Sequence, residues 1–326
     1  MRYERQLILK EVGKEGQEKL SNAKVLVVGA GGLGGSLLQY LAAAGVGTIG
    51  ICDNDQVSES NLHRQILFHE SQVGDLKPIA ARRNLLKLNS ECNIIPHCER
   101  FGPVNGSQLI EKYDFIVDCS DNFETKFLIN DLSFLTKKKL IQASIYQFEG
   151  QLQVFDYSVE SKRPCLRCLW PQVPGKNCVG NCEEAGVLGI VAGVFGTLQC
   201  NEVIKMILNF DQLPQGVSLT IDLKTMMMRK IRWSKQINCP LCGVQANIKT
   251  AVDSLDLEDF EVTNKNDFSN VIDLRKTPEI NPLTLDRSKD YLFICQRGIR
   301  SFNTVKKLRK MGYYNIFSLY GGDNVN

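Results

Sequence analysis

The feature that most constrains the fold is a glycine-rich turn between an apolar run and a helical pattern. Val25–Gly29 is typical of a buried strand, Leu33–Ala44 of a helix and Thr48–Cys52 of a second strand. This order predicts two parallel strands joined by a crossover helix. The stretch carries no charge, but its many glycines favour strand, turn and helix over a membrane span.

The same alternation continues along the chain. We predict a helix at Lys77–Leu88, and then strands at Asn93–Pro96, Phe115–Cys119 and Leu140–Ala143. Gln151–Tyr157 alternates like an antiparallel continuation, and a helix, Val191–Leu208, and two more strands, Ser218–Leu223 and Met227–Trp233, follow it. The predicted fold class is α/β, with a doubly wound, Rossmann-like, mostly parallel sheet and an antiparallel extension.

Beyond Gly243 the composition changes and predicts a second domain. We assign residues 1–248 to the large α/β domain, 249–266 to an acidic linker and 267–326 to a small α/β domain. In the small domain Asn270–Leu274 and Tyr291–Cys295 are strand-like, and Ser301–Met311 has the pattern of a basic amphipathic helix.

The glycine motif also predicts a phosphate site. Gly29, Gly31, Gly32 and Gly34 would let the backbone approach a phosphate at a helix start, where free amides favour anions. Asp53 follows at the end of the second strand, where a carboxylate can hold ribose hydroxyls. Taken alone, this pattern favours a nicotinamide or flavin oxidoreductase.

Three further residues favour ATP instead. Chemistry at a triphosphate needs positive groups for the departing pyrophosphate and a carboxylate for Mg²⁺. Arg64, Lys77 and Asp121 supply these groups if the strand ends bring them together. The net charge of only +3 gives no reason to expect nucleic acid or a membrane as a partner.

Together these motifs resemble the MoeB/ThiF family, the bacterial relatives of ubiquitin-activating enzymes. The residues that carry the resemblance are Arg2-Tyr3-x-Arg5-Gln6, Gly29–Gly34, Asp53–Asp55, Asn61–Gln65, Lys77, Asp121-Asn122 and Cys239–Cys242. The resemblance implies a ribose contact for Asp53, phosphate contacts for Asn61, Arg64 and Lys77, and the metal for Asp121, with Asp55 and Asn122 in the same site. It also implies that Arg5 reaches the triphosphate of a neighbouring subunit, and hence a homodimer.

Two C-x-x-C pairs predict a structural zinc site. Cys165 and Cys168 form one pair, and Cys239 and Cys242 form the other. Four thiolates complete a tetrahedral Zn²⁺ shell, so we expect a closed, non-catalytic site that joins distant parts of the domain. A redox dithiol in one pair is the alternative.

The remaining cysteines of the large domain are harder to assign. In the resembled family a cysteine at the position of Cys182 lies on a crossover loop and in some members joins the carrier covalently. A covalent role for Cys182 and a spectator role are both open, and Cys178 is a nearby competitor. The unassigned cysteines, which we expect to be mainly packing groups, are Cys52, Cys92, Cys98, Cys119 and Cys200.

The tail resembles rhodanese-family sulfurtransferases in Val271–Arg275 and Phe293–Ser301. Cys295 opens a loop before a helix, and the loop amides would stabilise a thiolate or persulfide. Arg300 follows five positions later and would steady the loop, which is one residue shorter than a phosphatase loop and so favours sulfur. The segment is shorter than a usual rhodanese, so a degenerate docking domain is the alternative.

From these resemblances we expect an ATP-dependent adenylyltransferase that activates the Gly-Gly carboxylate of a ubiquitin-like sulfur carrier for molybdopterin or thiamine biosynthesis. Sulfur would arrive through Cys295 or from a persulfide donor such as a cysteine desulfurase. The alternatives are a peptide or tRNA-thiolation carrier as acceptor, a non-catalytic carrier-docking scaffold, and the oxidoreductase. Twelve cysteines and an N-terminus without a secretory pattern favour the cytoplasm.

Overall fold

The structure is a computed structural model that describes residues 2–159, 163–174, 186–250, 260–277, 280–313 and 315–323. The chain forms two compact units, Met1–Ser254 and Leu255–Asn326. Each unit has its own sheet and its own apolar core.

The N-terminal unit is built on an eight-stranded sheet. Its strands are β1 Lys24–Val28, β2 Thr48–Cys52, β3 Asn93–His97, β4 Phe115–Asp118, β5 Lys139–Tyr146, β6 Glu149–Asp156, β7 Val217–Asp222 and β8 Met227–Arg232. The order is β3-β2-β1-β4-β5-β6-β7-β8, with parallel pairing as far as β5 and antiparallel pairing beyond it. This confirms the predicted mostly parallel sheet with an antiparallel extension.

The helices described in this unit cover the sheet in two groups. They are α1 Glu4–Leu7, α2 Gly13–Asn22, α3 Gly32–Ala44, α4 Lys77–Leu88, α5 Pro103–Glu111, α6 Phe123–Leu135, α7 Leu166–Leu169 and α8 Gly189–Leu208. Side chains of α3, α4 and α8 share one apolar cluster with the strands, whereas α5 contacts α6 outside that cluster. Three-residue helical turns also lie at Glu59–Asn61 and Glu70–Gln72.

The helix α8 is long and apolar enough to cross a bilayer, and its apolar stretch is 56% buried. It packs lengthwise on α3, and Phe195 and Val203 are fully buried there. A core helix of a soluble protein has this composition and these contacts. The uncharged stretch at the glycine motif forms β1, α3 and β2, as predicted, and not a membrane span.

Several helices were absent from the prediction, and α6 shows why. Every residue from Lys126 to Ser133 is buried, so the helix has no polar face and its sequence lacks the usual amphipathic period. Its start is nevertheless encoded locally, because Asn122 accepts a hydrogen bond from the Thr125 amide at 2.8 Å and caps the helix.

The C-terminal unit is a small α/β fold. Its elements are β9 Glu261–Val262, β10 Val271–Asp273, β11 Tyr291–Ile294, α9 Ile299–Lys310 and β12 Ile316–Leu319, with helical turns at Lys265–Asp267 and Pro282–Thr284. The sheet order β10-β11-β12-β9 is parallel throughout. Because β9 pairs with β12, the folded unit begins inside the range that composition assigned to the linker, before residue 267.

Candidate functional site

The glycine loop lies at the point where the sheet changes direction. From β1 the chain proceeds outward through β2 and β3, whereas β4 lies on the other side of β1. In open α/β sheets, ligands bind in the crevice outside the carboxyl ends of the strands at such a switch point. The glycine loop ends β1, and Cys119 to Asn122 follow β4, so both lie at this crevice.

The backbone explains why the loop needs glycine. Gly29 has φ of +98°, and a Cβ there would lie 2.6 Å from the Cys119 carbonyl oxygen. A Cβ on Gly34 would overlap the Gly29 carbonyl, so this glycine lets α3 start close to the strand. At Gly31 the nearest atom would be Nε2 of Gln65 at 3.7 Å, which leaves space above the loop.

Asp53 is held directly against the glycine loop. Its Oδ2 accepts a hydrogen bond from the Ala30 amide at 2.8 Å, and its Oδ1 accepts one from the Asp55 amide at 2.8 Å. Burial raises the pKa of Asp53, and the charge of Lys77 and the two amides oppose this rise. The structure therefore fixes Asp53 beside the loop.

Lys77 reaches the same place from the first turn of α4. Its side chain is 7% exposed, and its ammonium lies 3.1 Å from Oδ2 of the half-exposed Asp55. The backbone repeats the link, because the Lys77 amide donates to the Asp55 carbonyl at 2.9 Å. A buried lysine needs a partner, and the Asp55 carboxylate supplies one at the edge of the crevice.

Asn61 and Arg64 lie on a turn between the glycine loop and the start of α8. The amides of Arg64 and Gln65 donate to the Asn61 carbonyl at 3.0 and 2.9 Å. A Cβ on Gly32 would lie 3.3 Å from the Arg64 carbonyl, and one on Gly189 would overlap this turn. The Arg64 guanidinium bonds within its own segment, to the Ser60 carbonyl at 3.0 Å and the exposed His63 ring at 2.7 Å.

Asp121 and Asn122 are exposed between β4 and α6. The side-chain nitrogen of Asn122, Nδ2, lies 3.4 Å from Oδ1 of Asp121, and the side-chain oxygen of Asn122 caps α6. The Cys119 carbonyl lies against Gly29, so Asp121, two residues farther along the chain, follows the segment that packs on the glycine loop, and its side chain is exposed.

A buried ion pair that sequence reasoning missed supports this turn. Lys126 lies 2.6 Å from Oδ2 of Asp118 and donates to the Ala143 carbonyl at 2.8 Å. The other Asp118 oxygen accepts from the Ser120 amide at 2.9 Å, and the Asp118 carbonyl accepts from Gln199 at 2.7 Å. A lysine early in the helix after a strand-ending aspartate was the available signal, but the helix itself had not been predicted.

Arg5 lies elsewhere in its own chain. It is exposed on α1, and Gln6 beside it donates to the Ala44 carbonyl at the C-terminal end of α3. The 13-residue α3 separates that end from the glycine loop by about 20 Å. The described structure of one chain thus brings together the glycines, Asp53, Asp55, Lys77 and the Asn61–Arg64 turn, but not Arg5.

The four cysteines of the C-x-x-C pairs meet in one cluster. Their sulfurs all lie within 4.8 Å of one another, and Cys165 lies 3.9, 3.5 and 3.4 Å from Cys168, Cys239 and Cys242. A tetrahedral zinc with Zn–S bonds of about 2.3 Å needs sulfurs about 3.8 Å apart. The donor set and spacing fit zinc, and no open position is left for catalysis.

A second buried ion pair ties this cluster to α6. Arg167, inside the first pair of cysteines, contacts Asp131 through Nη2 at 2.6 Å and through Nε at 3.1 and 3.2 Å. Burial raises the pKa of Asp131 to about 6, against the lowering effect of Arg167. The Asp131 carboxylate and the Arg167 guanidinium are joined by a planar, two-pronged contact.

Cys182 and its competitor Cys178 lie outside the described residues. Of the unassigned cysteines, Cys52, Cys92, Cys119 and Cys200 are buried, and burial raises the pKa of each thiol. Cys98 is exposed, so it is not a packing group.

Cys295 directly follows β11 and lies at the start of a loop that leads into α9. Burial alone would raise the pKa of its thiol, but the net shift is downward because Ser301 and the amides of Arg297 and Arg300 donate hydrogen bonds to the sulfur. The Ser301 amide lies 3.3 Å from the sulfur. Arg300 donates to the Leu274 carbonyl at 3.1 Å and so links the loop to the end of β10.

Ion pairs frame the same loop. Arg275 contacts Asp273 at 2.8 Å and Asp323 at 3.3 Å, and Lys265 contacts Asp323 at 2.8 Å. The Asp323 amide donates to the Cys295 carbonyl at 2.8 Å. These ion pairs join residues near β10 and β12 beside the loop, and the loop amides donate to the Cys295 sulfur.

The chain is similar to several known proteins. Residues 3–241 match the ThiF family. A Thermus thermophilus protein named sulfur carrier protein adenylyltransferase is 41% identical over 254 residues, which cover 77% of this chain and 94% of that protein.

Other relatives are longer. A Drosophila pseudoobscura pseudoobscura protein named adenylyltransferase and sulfurtransferase MOCS3-1 is 43% identical over 253 residues, 77% of this chain and 55% of the relative. A Culex quinquefasciatus protein named adenylyltransferase and sulfurtransferase MOCS3 is 39% identical over 304 residues, 92% of this chain and 69% of the relative. The chain thus spans little more than half the length of the first of these.

Among solved structures, Escherichia coli MccB with MccA-N7isoASN superposes with a TM-score of 0.63 at 26% identity, covering 74% of each chain.

Proposed function

Because this chain belongs to the ThiF family, we propose that it is an ATP-dependent adenylyltransferase acting on the Gly-Gly carboxylate of a ubiquitin-like sulfur-carrier protein. The observation that carries the proposal is the set of side chains around the glycine loop. Asp53 lies against the loop, Lys77 is buried beside it, and Asp121 faces solvent at the adjoining strand end. Asp53 would serve a dinucleotide oxidoreductase equally well, but hydride transfer needs neither a cation nor a metal-binding carboxylate beside the phosphates, whereas chemistry at a triphosphate uses both Lys77 and Asp121.

The roles follow from chemistry and position. Asp53 takes the ribose, the glycine loop and the start of α3 face the phosphates, and Asn61, Arg64 and Lys77 neutralise their charge. Asp121 and Asn122, together with Asp55 from the pair with Lys77, would hold Mg²⁺, which would draw charge from the phosphates.

The reaction needs little acid–base catalysis. An ionised carrier carboxylate attacks the α-phosphorus, a new P–O bond forms, and pyrophosphate leaves with the electron pair of the broken bond. Positioning and charge neutralisation supply most of the rate enhancement. The cysteine cluster holds Zn²⁺ for stability and contributes no step.

Arg5 acts in a homodimer. It lies at the far end of α3 from its own glycine loop, so its family role requires the triphosphate of a partner subunit. An exposed arginine on a short helix can supply such a contact without cost to its own fold.

Cys295 provides sulfur. Its thiolate attacks the outer sulfur of a persulfide donor, such as a cysteine desulfurase, and the donor leaves as a thiolate. The terminal sulfur on Cys295 then attacks the acyl-adenylate carbon and AMP leaves, which gives an acyl disulfide. The thiolate of an added thiol attacks the Cys295 sulfur, the S–S bond breaks, the carrier leaves as thiocarboxylate, and Cys295 is left in a disulfide with that thiol. Such carriers would serve molybdopterin or thiamine biosynthesis. The four-cysteine cluster and a persulfide at Cys295 would be stable in a reducing compartment, which supports the cytoplasm as the proposed location.

A second candidate is the same adenylation on a peptide, which the likeness to MccB with bound MccA-N7isoASN favours. A tRNA-thiolation carrier is equally compatible with the crevice. A non-catalytic docking scaffold would bind ATP without pyrophosphate exchange.

The test is ATP–pyrophosphate exchange in the full chain with and without a carrier that ends in Gly-Gly. Exchange should require the carrier and fall by roughly two to three orders of magnitude in Asp121→Ala. Asp211→Ala, an exposed aspartate beyond α8, is the matched control and should exchange like the parent. Full exchange in Asp121→Ala, or tight binding of NAD in place of ATP, would refute the proposal.

A further inference from the structure

Two buried serine hydroxyls lie behind the Cys295 sulfur. Ser301 and Ser318 are both 0% exposed. The Ser301 hydroxyl lies 3.4 Å from the sulfur and 2.9 Å from the Gly298 carbonyl. The Ser318 hydroxyl donates to the Ser301 hydroxyl at 2.9 Å. The sulfur and the two hydroxyls form a short chain inside the unit.

The hydrogen bonds can be counted for the neutral thiol. The thiol proton points to the Ser301 oxygen, the Ser301 proton to the Gly298 carbonyl, and the Ser318 proton to the Ser301 oxygen. A serine oxygen accepts two hydrogen bonds, so the three protons of Cys295, Ser301 and Ser318 each have an acceptor.

The hydrogen bonds can also be counted for the ionised Cys295 sulfur. When the thiol proton has left for solvent, the Ser301 hydroxyl can turn from the Gly298 carbonyl to the sulfur. The carbonyl still accepts from the Phe302 amide at 2.9 Å, and Ser318 still donates to Ser301. Turning the Ser301 hydroxyl therefore leaves the two serine protons and the Gly298 carbonyl paired in both states.

We propose that Ser301 is a positioning residue that stabilises the Cys295 sulfur anion through a hydroxyl that changes partner, and that Ser318 holds this hydroxyl in place. The proposal deepens the sulfur-transfer function, because a stabilised anion is the nucleophile that attacks a sulfur donor. Its test does not require that function to be correct, since any thiolate reacts with an alkylating agent.

The charged groups on neighbouring elements give the background. The six groups are Arg297 in the loop, Arg300 in the first turn of α9, Asp273 at the end of β10, Arg275 just after it, Asp323 after β12 and Lys265 before β10. Asp273, Arg275, Asp323 and Lys265 are joined in ion pairs with one another. Substitution of a serine leaves all six in place, so a change in the thiol can be attributed to the hydroxyl.

The experiment measures iodoacetamide alkylation of Cys295 against pH in the full chain, read from the Cys295 peptide by mass spectrometry. Ser301→Ala should lower the rate at pH 7 about tenfold and move the midpoint of the profile upward, since a hydrogen bond to a charged group is lost. Ser318→Ala should move the midpoint in the same direction, with a loss of about threefold. Ser301→Thr keeps the hydroxyl and should restore most of the rate.

Ser269→Ala is the matched control, because Ser269 is an exposed serine of the same unit. Its profile should coincide with that of the parent. An unchanged midpoint in Ser301→Ala would overturn the proposal; if that variant does not fold, an unchanged midpoint in Ser318→Ala overturns it equally. Shifted midpoints without any sulfur transfer to cyanide would support this inference and count against the proposed function alone.

Discussion

The glycine loop after β1 and the cysteine loop after β11 share a backbone plan. Each follows a buried parallel strand, contains a glycine with positive φ, +98° at Gly29 and +77° at Gly298, and leads into a helix. Such a loop directs amides at an anion. What differs is the origin of the anion and of the groups that stabilise it.

In the proposed function the glycine loop binds an anion that comes from solution, and the charged side chains around the loop come from distant parts of the sequence. Asp53 directly follows β2, Lys77 starts α4, and Asp121 follows β4. The cysteine loop carries its own anion at Cys295, and its donors lie within six residues, except for Ser318. A site for an external ligand is thus assembled by the sheet, whereas a site for an internal nucleophile is mostly local.

The largest expected effect separates the two loops. Cys295→Ala should abolish thiosulfate-dependent sulfur transfer and leave carrier-dependent pyrophosphate exchange unchanged, because only the cysteine loop loses its reacting atom. Exchange and cyanide-based sulfur transfer, assayed on the same preparation, measure both. Equal sulfur transfer in variant and parent would show that the cysteine loop has no such function.

The next largest effect concerns the charged side chains around the glycine loop. Lys77→Met should lower pyrophosphate exchange by about 10²–10³-fold, because one charge that offsets the departing pyrophosphate is lost. Lys87→Met removes an exposed lysine from the same helix and should have no effect. If the two variants exchanged equally fast, Lys77 would have no part in the reaction.

The missed ion pair should matter for stability. Lys126→Met leaves the fully buried Asp118 carboxylate without its cation and should reduce the free energy of unfolding by about 3–5 kcal/mol. Urea denaturation of the full chain, followed by tryptophan fluorescence, measures it. Lys126→Arg should lose less, and Lys126→Met combined with Asp118→Asn should recover most of the loss; no recovery in the double variant would contradict the uncompensated charge as the cause.

The glycines test how tightly each loop is packed. Gly29→Ala combines positive φ with a Cβ 2.6 Å from a carbonyl oxygen, and Gly298→Ala combines it with a Cβ 2.9 Å from the Gly322 amide. The controls Gly74→Ala and Gly312→Ala share the positive φ but have no atom within 4 Å, so they isolate the backbone strain of about 1–2 kcal/mol.

In urea denaturation both loop variants should lose more than their controls, and Gly29→Ala should lose most. Losses equal to those of the controls would mean that neither loop is closely packed.

The smallest effect is a difference in the pH at which two cysteines become reactive. Hydrogen bonds to the sulfur outweigh burial and lower the pKa of Cys295, whereas burial raises the pKa of Cys98. Alkylation of Cys295 should therefore begin at lower pH than that of an ordinary thiol, and alkylation of Cys98 at higher pH. Peptide-level mass spectrometry resolves both cysteines in one sample. Alkylation of Cys98 at a lower pH than Cys295 would contradict the stabilisation of the Cys295 thiolate by its loop.

Prediction from sequence succeeded where the signal was a periodic pattern of apolar residues or a motif that occurs twice. The alternation of apolar runs and helical patterns gave the sheet and its antiparallel extension, and two C-x-x-C pairs predicted the four-cysteine cluster. It failed at α6, which is buried almost all round, and with α6 it missed Lys126 and Asp131. A buried charge is recognisable only when its partner is known, and the partners lie 8 and 36 residues away along the chain.

By itself, the sequence determined the chemistry that this protein holds: glycines that admit phosphate, cysteines in pairs for a metal, and a lone cysteine before a helix. The tertiary structure alone decided which of these groups share a place. It set Asp53 and Lys77 beside the glycine loop, kept Arg5 away from it, and put Ser318 behind Cys295. The physical reason is that parallel strands gather their carboxyl ends at one edge of a sheet, while burial pairs groups whose separation along the chain carries no signal.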